Sequence, residues 1–146
     1  MKKIFVTLVA FLTIGIAATI ANEEPAIDPK ILTAFQKQFS FAKDVKWEVR
    51  GEFTQVNFSL NDHGFVAWYN ADAKLLSTAR NILYMQLPLS VIRSLEKNYN
   101  DASFSGIVEI TRDGETFYQL RAERKNKKYL LKASQDGTLI VVRRTK

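Results

Sequence analysis

"ASQDGTLI" (133–140) and "YNADAKLL" (69–76) are two versions of one phrase, 64 residues apart. Each sets Asp in fourth place, then a small or flexible residue, a polar residue and two large aliphatics. Around both copies the apolar residues alternate with a period of two, the mark of half-buried strands. "FVAWYN" (65–70) precedes the first copy's turn and "LLSTAR" (75–80) follows it. "YLLKAS" (129–134) and "LIVVRR" (139–144) hold the same places in the second. Further upstream lie "VKWEVR" (45–50) and "FTQVNFSL" (53–60), then a turn at Asn61, Asp62, His63 and Gly64. Their counterparts are "GIVEIT" (106–111) and "TFYQLRAE" (116–123), joined at Asp113-Gly114 and followed by a basic tip from Arg124 to Lys128. Asp-Gly favours a hairpin because Gly tolerates positive φ. The phrase is therefore the last hairpin turn of each half, with Asp72 and Asp136 as turn residues.

Ahead of each set of strands the period changes to about four. In "DPKILTAFQKQF", Asp28 is a good N-cap and Pro29 suits the first helical position. Ile31, Phe35 and Phe39 then recur on one helix face. In "LPLSVIRSLEKNY", Pro88 comes early and Val91, Leu95 and Tyr99 recur at the same spacing, offset by 60. The expectation is an α+β fold. It is a tandem repeat of a helix followed by a four-stranded antiparallel meander, with the helices packed on one face of the sheet. The repeats span 28–82 and 87–146 of a domain over 28–146.

The chain opens "MKKIFVTLVAFLTIGIAATIANEE". Lys2 and Lys3, an apolar run and the small residues leading to Ala21 have the layout of a cleavable signal peptide over 1–21, with a linker over 22–27. Residues 4–21 also reach the minimum length of a bilayer span, but small residues sit where the peptidase needs them. The expected location is the periplasm or the exterior, with no stable membrane span after cleavage. Removing 21 of 146 residues leaves 125, enough for one domain with its own core. With no cysteine, disulfides, thiolate metal sites, a Cys nucleophile and a lipoprotein anchor are all excluded. Charge is uneven: 22–87 carries 7 basic and 8 acidic residues, whereas 88–146 carries 12 and 7. The excess lies in "RAERKNKKYLLK" and "VVRRTK" and admits an anionic partner or a solvated hairpin tip. A nucleic-acid partner is not expected of an exported chain without a binding motif.

Export, the absence of cysteine, the twofold repeat, "LP" before the second helix, aromatic-rich hairpins and Asp-Gly before the last strand together resemble a known family. It is the PepSY-like family of secreted bacterial proteins described as beta-lactamase-inhibitor-like (BLIP-like). The resemblance covers about 28–144. It implies two helix-plus-sheet units that share a sheet, and a non-enzymatic role such as inhibition of an exported enzyme, for instance a protease, through the open sheet face. The characterised beta-lactamase inhibitor is held by disulfides, a departure that sets inhibition of that enzyme apart.

Strand parity separates the two faces. Val56, Phe58, Phe65 and Ala67 match Leu120, Ala122, Tyr129 and Leu131 and read as core. Gln55, Asn57 and Ser59 match Gln119, Arg121 and Glu123 and read as open. Val66 and Trp68 match Leu130 and Lys132, and a lysine is seldom buried unpaired. Trp68 is thus expected on one open face with Lys46, Arg50, Gln55, Arg121 and Lys132, an aromatic among cations and amides as at binding hot spots. Trp47 falls on the helix side.

Catalytic chemistry is not expected. His63 is the one histidine, in a turn, with no second His and no Cys to share a metal. The glycines are single, so no phosphate loop or other cofactor motif appears. The reading is a binding module for an exported or envelope protein, acting through the open face. The alternative is a small-ligand or anionic-surface binder using the basic hairpin of the second repeat.

Overall fold

Two ten-residue helices and eight strands make up residues 25–145, the part that the computed structural model describes. The expected signal peptide lies outside the described residues, as do residues 22–24 of the linker. Helix α1 (Pro29–Gln38) starts where Asp28 Oδ1 accepts a hydrogen bond from the Lys30 amide at 2.8 Å. Helix α2 (Leu89–Asn98) has Pro88 at its N-cap position and no side-chain cap. Helices this short are marginal in water, and packing holds them. Ile31 and Phe35 of α1 are buried, as are Val91 and Leu95 of α2.

The strands are β1 (Lys43–Arg50), β2 (Phe53–Leu60), β3 (His63–Asn70), β4 (Leu75–Asn81), β5 (Ser103–Arg112), β6 (Glu115–Arg124), β7 (Lys127–Ser134) and β8 (Leu139–Thr145). They form one antiparallel sheet in chain order. A 3₁₀ turn (Tyr84–Gln86) leads from β4 to α2. β4 pairs directly with β5, from Ser77 opposite Arg112 to Asn81 opposite Val108, so the sheet runs unbroken across the middle of the chain.

Successive cross-strand partners Phe58, Phe65, Arg80, Glu109, Tyr118 and Ala133 trace one row over the sheet. Phe58 and Phe65 pack with Ile31 and Phe35 in the first core cluster, and Trp47 meets Phe35 edge-on at 5.1 Å. Tyr118 and Ala133 belong to a second cluster with Val91, Leu95, Leu120 and Leu131. Both helices therefore cover the same face. Between the clusters, Arg80 Nε donates to Glu109 Oε1 at 2.7 Å, and the Arg80 guanidinium lies 5.8 Å from the Phe65 ring centre.

Three hairpins are tighter than expected. Asn61-Asp62, Asp113-Gly114 and Lys125-Asn126 each carry two successive positive φ angles, the requirement of a two-residue type I′ turn. His63 and Gly64 consequently belong to β3 and not to the turn, and the basic tip shrinks to Lys125-Asn126. β1 and β5 begin earlier than their alternation predicts. Each carries a bulge, at Asp44 (φ 51) and Gly106 (φ 57), which breaks the period of two.

The two copies of the opening phrase differ in detail. Asp136 accepts from the Thr138 amide at 2.9 Å and from Thr138 Oγ1 at 3.1 Å, and these bonds hold its carboxyl below the usual carboxylate range. In the first copy the acceptor is Asn70 instead. Its Oδ1 receives the Asp72 amide at 3.1 Å and the Lys74 amide at 2.9 Å. Asp72 lies in its turn as expected, but Asn70 and not Asp72 accepts from the Lys74 amide, the counterpart of the Thr138 amide. The next residue also differs. Ala73 has φ 59, whereas Gly137 has φ 92 and is buried under α2. Ser90 of α2 donates its hydroxyl to the Gln135 carbonyl, fastening the helix to that turn.

Candidate interaction face

The face opposite the helices has no helix or loop packed over it among the described residues. β3 places Trp68 on it, between Gln55 of β2 and Ser77 of β4. Trp68 Nε1 donates to Gln55 Oε1 at 3.3 Å, which holds the indole down along the sheet. Two shallow cavities flank the ring. One, of about 440 Å³, is bounded by Phe53, Trp68, Leu76, Ser77, Ile110 and Arg112. The other, of about 550 Å³, includes Lys46, Asn57, Val66, Trp68, Ala79 and Val108. The floor is more apolar than parity alone suggested. Val66, Ala79, Ile110 and Phe117 are successive cross-strand partners on this side. Phe53, at the rim, is 47% exposed.

Lys46, Arg50, Gln55, Trp68, Arg121 and Lys132 all occupy open-face register positions, but they do not form one patch. Lys46 and Gln55 stand beside Trp68. Arg50 is at the end of β1, paired with Glu48 at 2.9 Å, and borders neither cavity. Arg121 lies three strands away and six residues further along, about 25 Å from Trp68 by ordinary strand spacing and rise. Its guanidinium lies over the Gly106 bulge, where a Cβ would stand 3.1 Å from Nη1. There it joins Lys128 and Arg143 around a third cavity of about 520 Å³, with Gln119, Leu130 and Thr145. Lys132 sits between the groups with Nζ 4.1 Å from the Phe117 ring centre, a cation–π contact. Leu76, Ile110 and Phe117 were not singled out from sequence, whereas Lys128 and Arg143 belong to the two basic stretches in which an anionic partner was expected. Phe117 shares the parity of Gln119 and Arg121, and Ile110 is its partner on β5, but only the β4–β5 pairing joins them to Val66 and Ala79 in one apolar row.

His63 is exposed as the first residue of β3. Among the described residues no group of three or more His, Cys, Asp or Glu side chains could hold a metal ion. No described helix is long and apolar enough to cross a membrane. Burial raises the phenols of Tyr69, Tyr84 and Tyr118, Tyr69 to about 12. Tyr69 and Tyr118 are buried in the helix-side cores, and Tyr84 packs against the second one.

Solved structures share this fold. A BLIP-like protein from Bacteroides fragilis matches with a TM-score of 0.73 at 23% identity, over 81% of this chain and 88% of its own. A DUF2874 family protein from Bacteroides uniformis matches at 0.73 and 14%, over 82% and 89%. A Bacteroides eggerthii protein, provisionally described as periplasmic, matches at 0.72 and 14%, over 83% and 89%. At these identities the likeness is one of fold. No protein-family model and no curated protein sequence matches the chain.

Proposed function

We propose that this chain is an exported, non-enzymatic binding module that engages an exported or envelope protein through its open sheet face, centred on Trp68. The observation that carries the reading is the face itself. Both helices pack on one side, and the other presents an indole between two grooves over an apolar row. Aromatic residues in such settings dominate binding energies at protein interfaces. The signal-like residues 1–21 and the provisionally periplasmic neighbour support export. The BLIP-like neighbour and the PepSY-like sequence pattern support a binding role over a catalytic one. The matching order of helix and four strands on each side of the 3₁₀ turn supports descent from one duplicated unit. Where the partner is an enzyme, the complex blocks it without being turned over.

The test is capture of an envelope protein by the parent protein, followed by affinity measurement with the purified partner. Trp68→Ala should weaken the complex by about 2 kcal/mol or more, roughly thirtyfold, with unchanged circular dichroism. Leu89→Ala, an exposed substitution on α2, should leave affinity as it was. Equal affinity for the parent and Trp68→Ala would remove the open face from the interaction.

A further inference from the structure

We infer that the cavity between Arg121, Lys128 and Arg143 is a carboxylate-binding subsite, and that the partner lays an acidic segment across this end of the open face. This rests on the open-face reading above and names the partner's chemistry. Three cations line the cavity, and the nearest acid on their strands, Glu123, stands directly opposite Lys128. Among the described residues none of the three cations is ion-paired: the pairs involve Arg50, Arg80, Arg124 and Lys125. The local balance among the described residues is therefore two positive charges in excess, over the half-buried floor of Leu130.

The backbone makes room for one of these cations. The bulge at Gly106 has positive φ and lacks a Cβ, which leaves room for the Arg121 guanidinium close above it. The bulge of β1 carries Asp44 instead, and its carboxylate accepts from Ser59 Oγ at 2.6 Å. One half of the sheet thus closes its bulge with an internal hydrogen bond. The other leaves the exposed Arg121 guanidinium at the cavity that Arg143 also lines. Two guanidinium groups offer the fork geometry that matches a carboxylate, and Gln119 and Thr145 add neutral donors at the same rim. The cradle lies about 25 Å from Trp68. An extended segment of about eight residues spans that distance, so one chain can reach both.

Fluorescence anisotropy of the purified protein with a labelled deca-glutamate peptide tests this, with deca-glutamine as the neutral probe. Deca-glutamate should bind, deca-glutamine should not, and binding should weaken as ionic strength rises. Arg121→Ala with Arg143→Ala should weaken deca-glutamate binding at least about tenfold. Lys37→Ala with Arg93→Ala removes the same charge from the helices and should change it less than about twofold. Trp68→Ala should leave deca-glutamate bound while weakening the native partner, which separates failure of the subsite from failure of the open face. Deca-glutamate that fails to bind, or is lost equally with the helix-charge variant, overturns the assignment. So does stronger capture by anionic phospholipid vesicles than by the peptide, when abolished by the same Arg pair.

Discussion

Gly137→Ala is the substitution that most directly probes how the second helix is seated. The turn residue has φ 92, and a Cβ built there would lie 2.6 Å from the Ser90 carbonyl oxygen and 2.8 Å from Ser94 Oγ. Left-handed backbone costs an L-residue roughly 1–2 kcal/mol. Overpacking against a helix backbone that cannot step aside adds about 1–3 kcal/mol. The smaller entropy of the unfolded Ala chain returns about 0.4–1 kcal/mol. The net loss is about 3 kcal/mol, which a domain of ordinary stability survives. With a urea slope of about 2 kcal/mol per molar, the unfolding midpoint should fall by about 1.5 M. The matching position in the first half is Ala73, which already holds a Cβ at φ 59. Ala73→Gly exchanges relief of that strain for greater unfolded-state entropy and should shift stability by less than about 1 kcal/mol. A loss below about 1 kcal/mol for Gly137→Ala would show that α2 is not pressed onto the β7–β8 turn.

Two further outcomes concern the helix side of the sheet. Burial raises the Tyr69 phenol to about 12, and its hydroxyl donates to Gln38 Oε1 at 2.7 Å. A raised folded value means that Tyr69 stabilises fully below pH ~10, its unfolded value, and that this is lost as pH climbs from there to about 12. Ultraviolet titration should show a late phenolate step that Tyr69→Phe abolishes, and a step that persists assigns it to another tyrosine. At the seam, Arg80→Ala leaves the half-buried Glu109 unpaired and should cost about 2 kcal/mol, between the values for exposed and buried pairs. Arg80→Met with Glu109→Leu should recover most of it, as read by a double-mutant cycle in urea. An additive cycle would mean that the pair is not coupled.

Much of the helix and strand layout was legible because local rules were obeyed. Asp28 and Pro29 mark the start of α1 by capping chemistry, and Ile31, Phe35, Val91 and Leu95 follow helical spacing to burial. Parity placed Trp68, Gln55, Arg121 and Lys132 on the side away from the helices. What escaped depends on partners distant in sequence. Arg80 and Glu109 face the helix side because they pair with each other across the seam, a compensation no single strand reveals. The bulges at Asp44 and Gly106 shift the face on which later residues fall, and only the partner strand shows the shift. The split of the expected site into a Trp68 region and an Arg121 region follows from strand order, and periodicity within one strand is blind to that order.

The order of strands in the sheet has a consequence for how the molecule assembles. Every ladder joins strands adjacent in the chain, and only the β4–β5 ladder encloses a helix. The sheet can therefore grow one hairpin at a time, with little loop-closure entropy at each step. Residues 29–81 bring together the whole first cluster, Ile31, Phe35, Val56, Phe58, Ala67 and Tyr69, without any residue of the second. A chain emerging N-terminus first can complete that core while β5 to β8 are still unmade. The exposed edge of β4 then serves as the template on which the second half is laid.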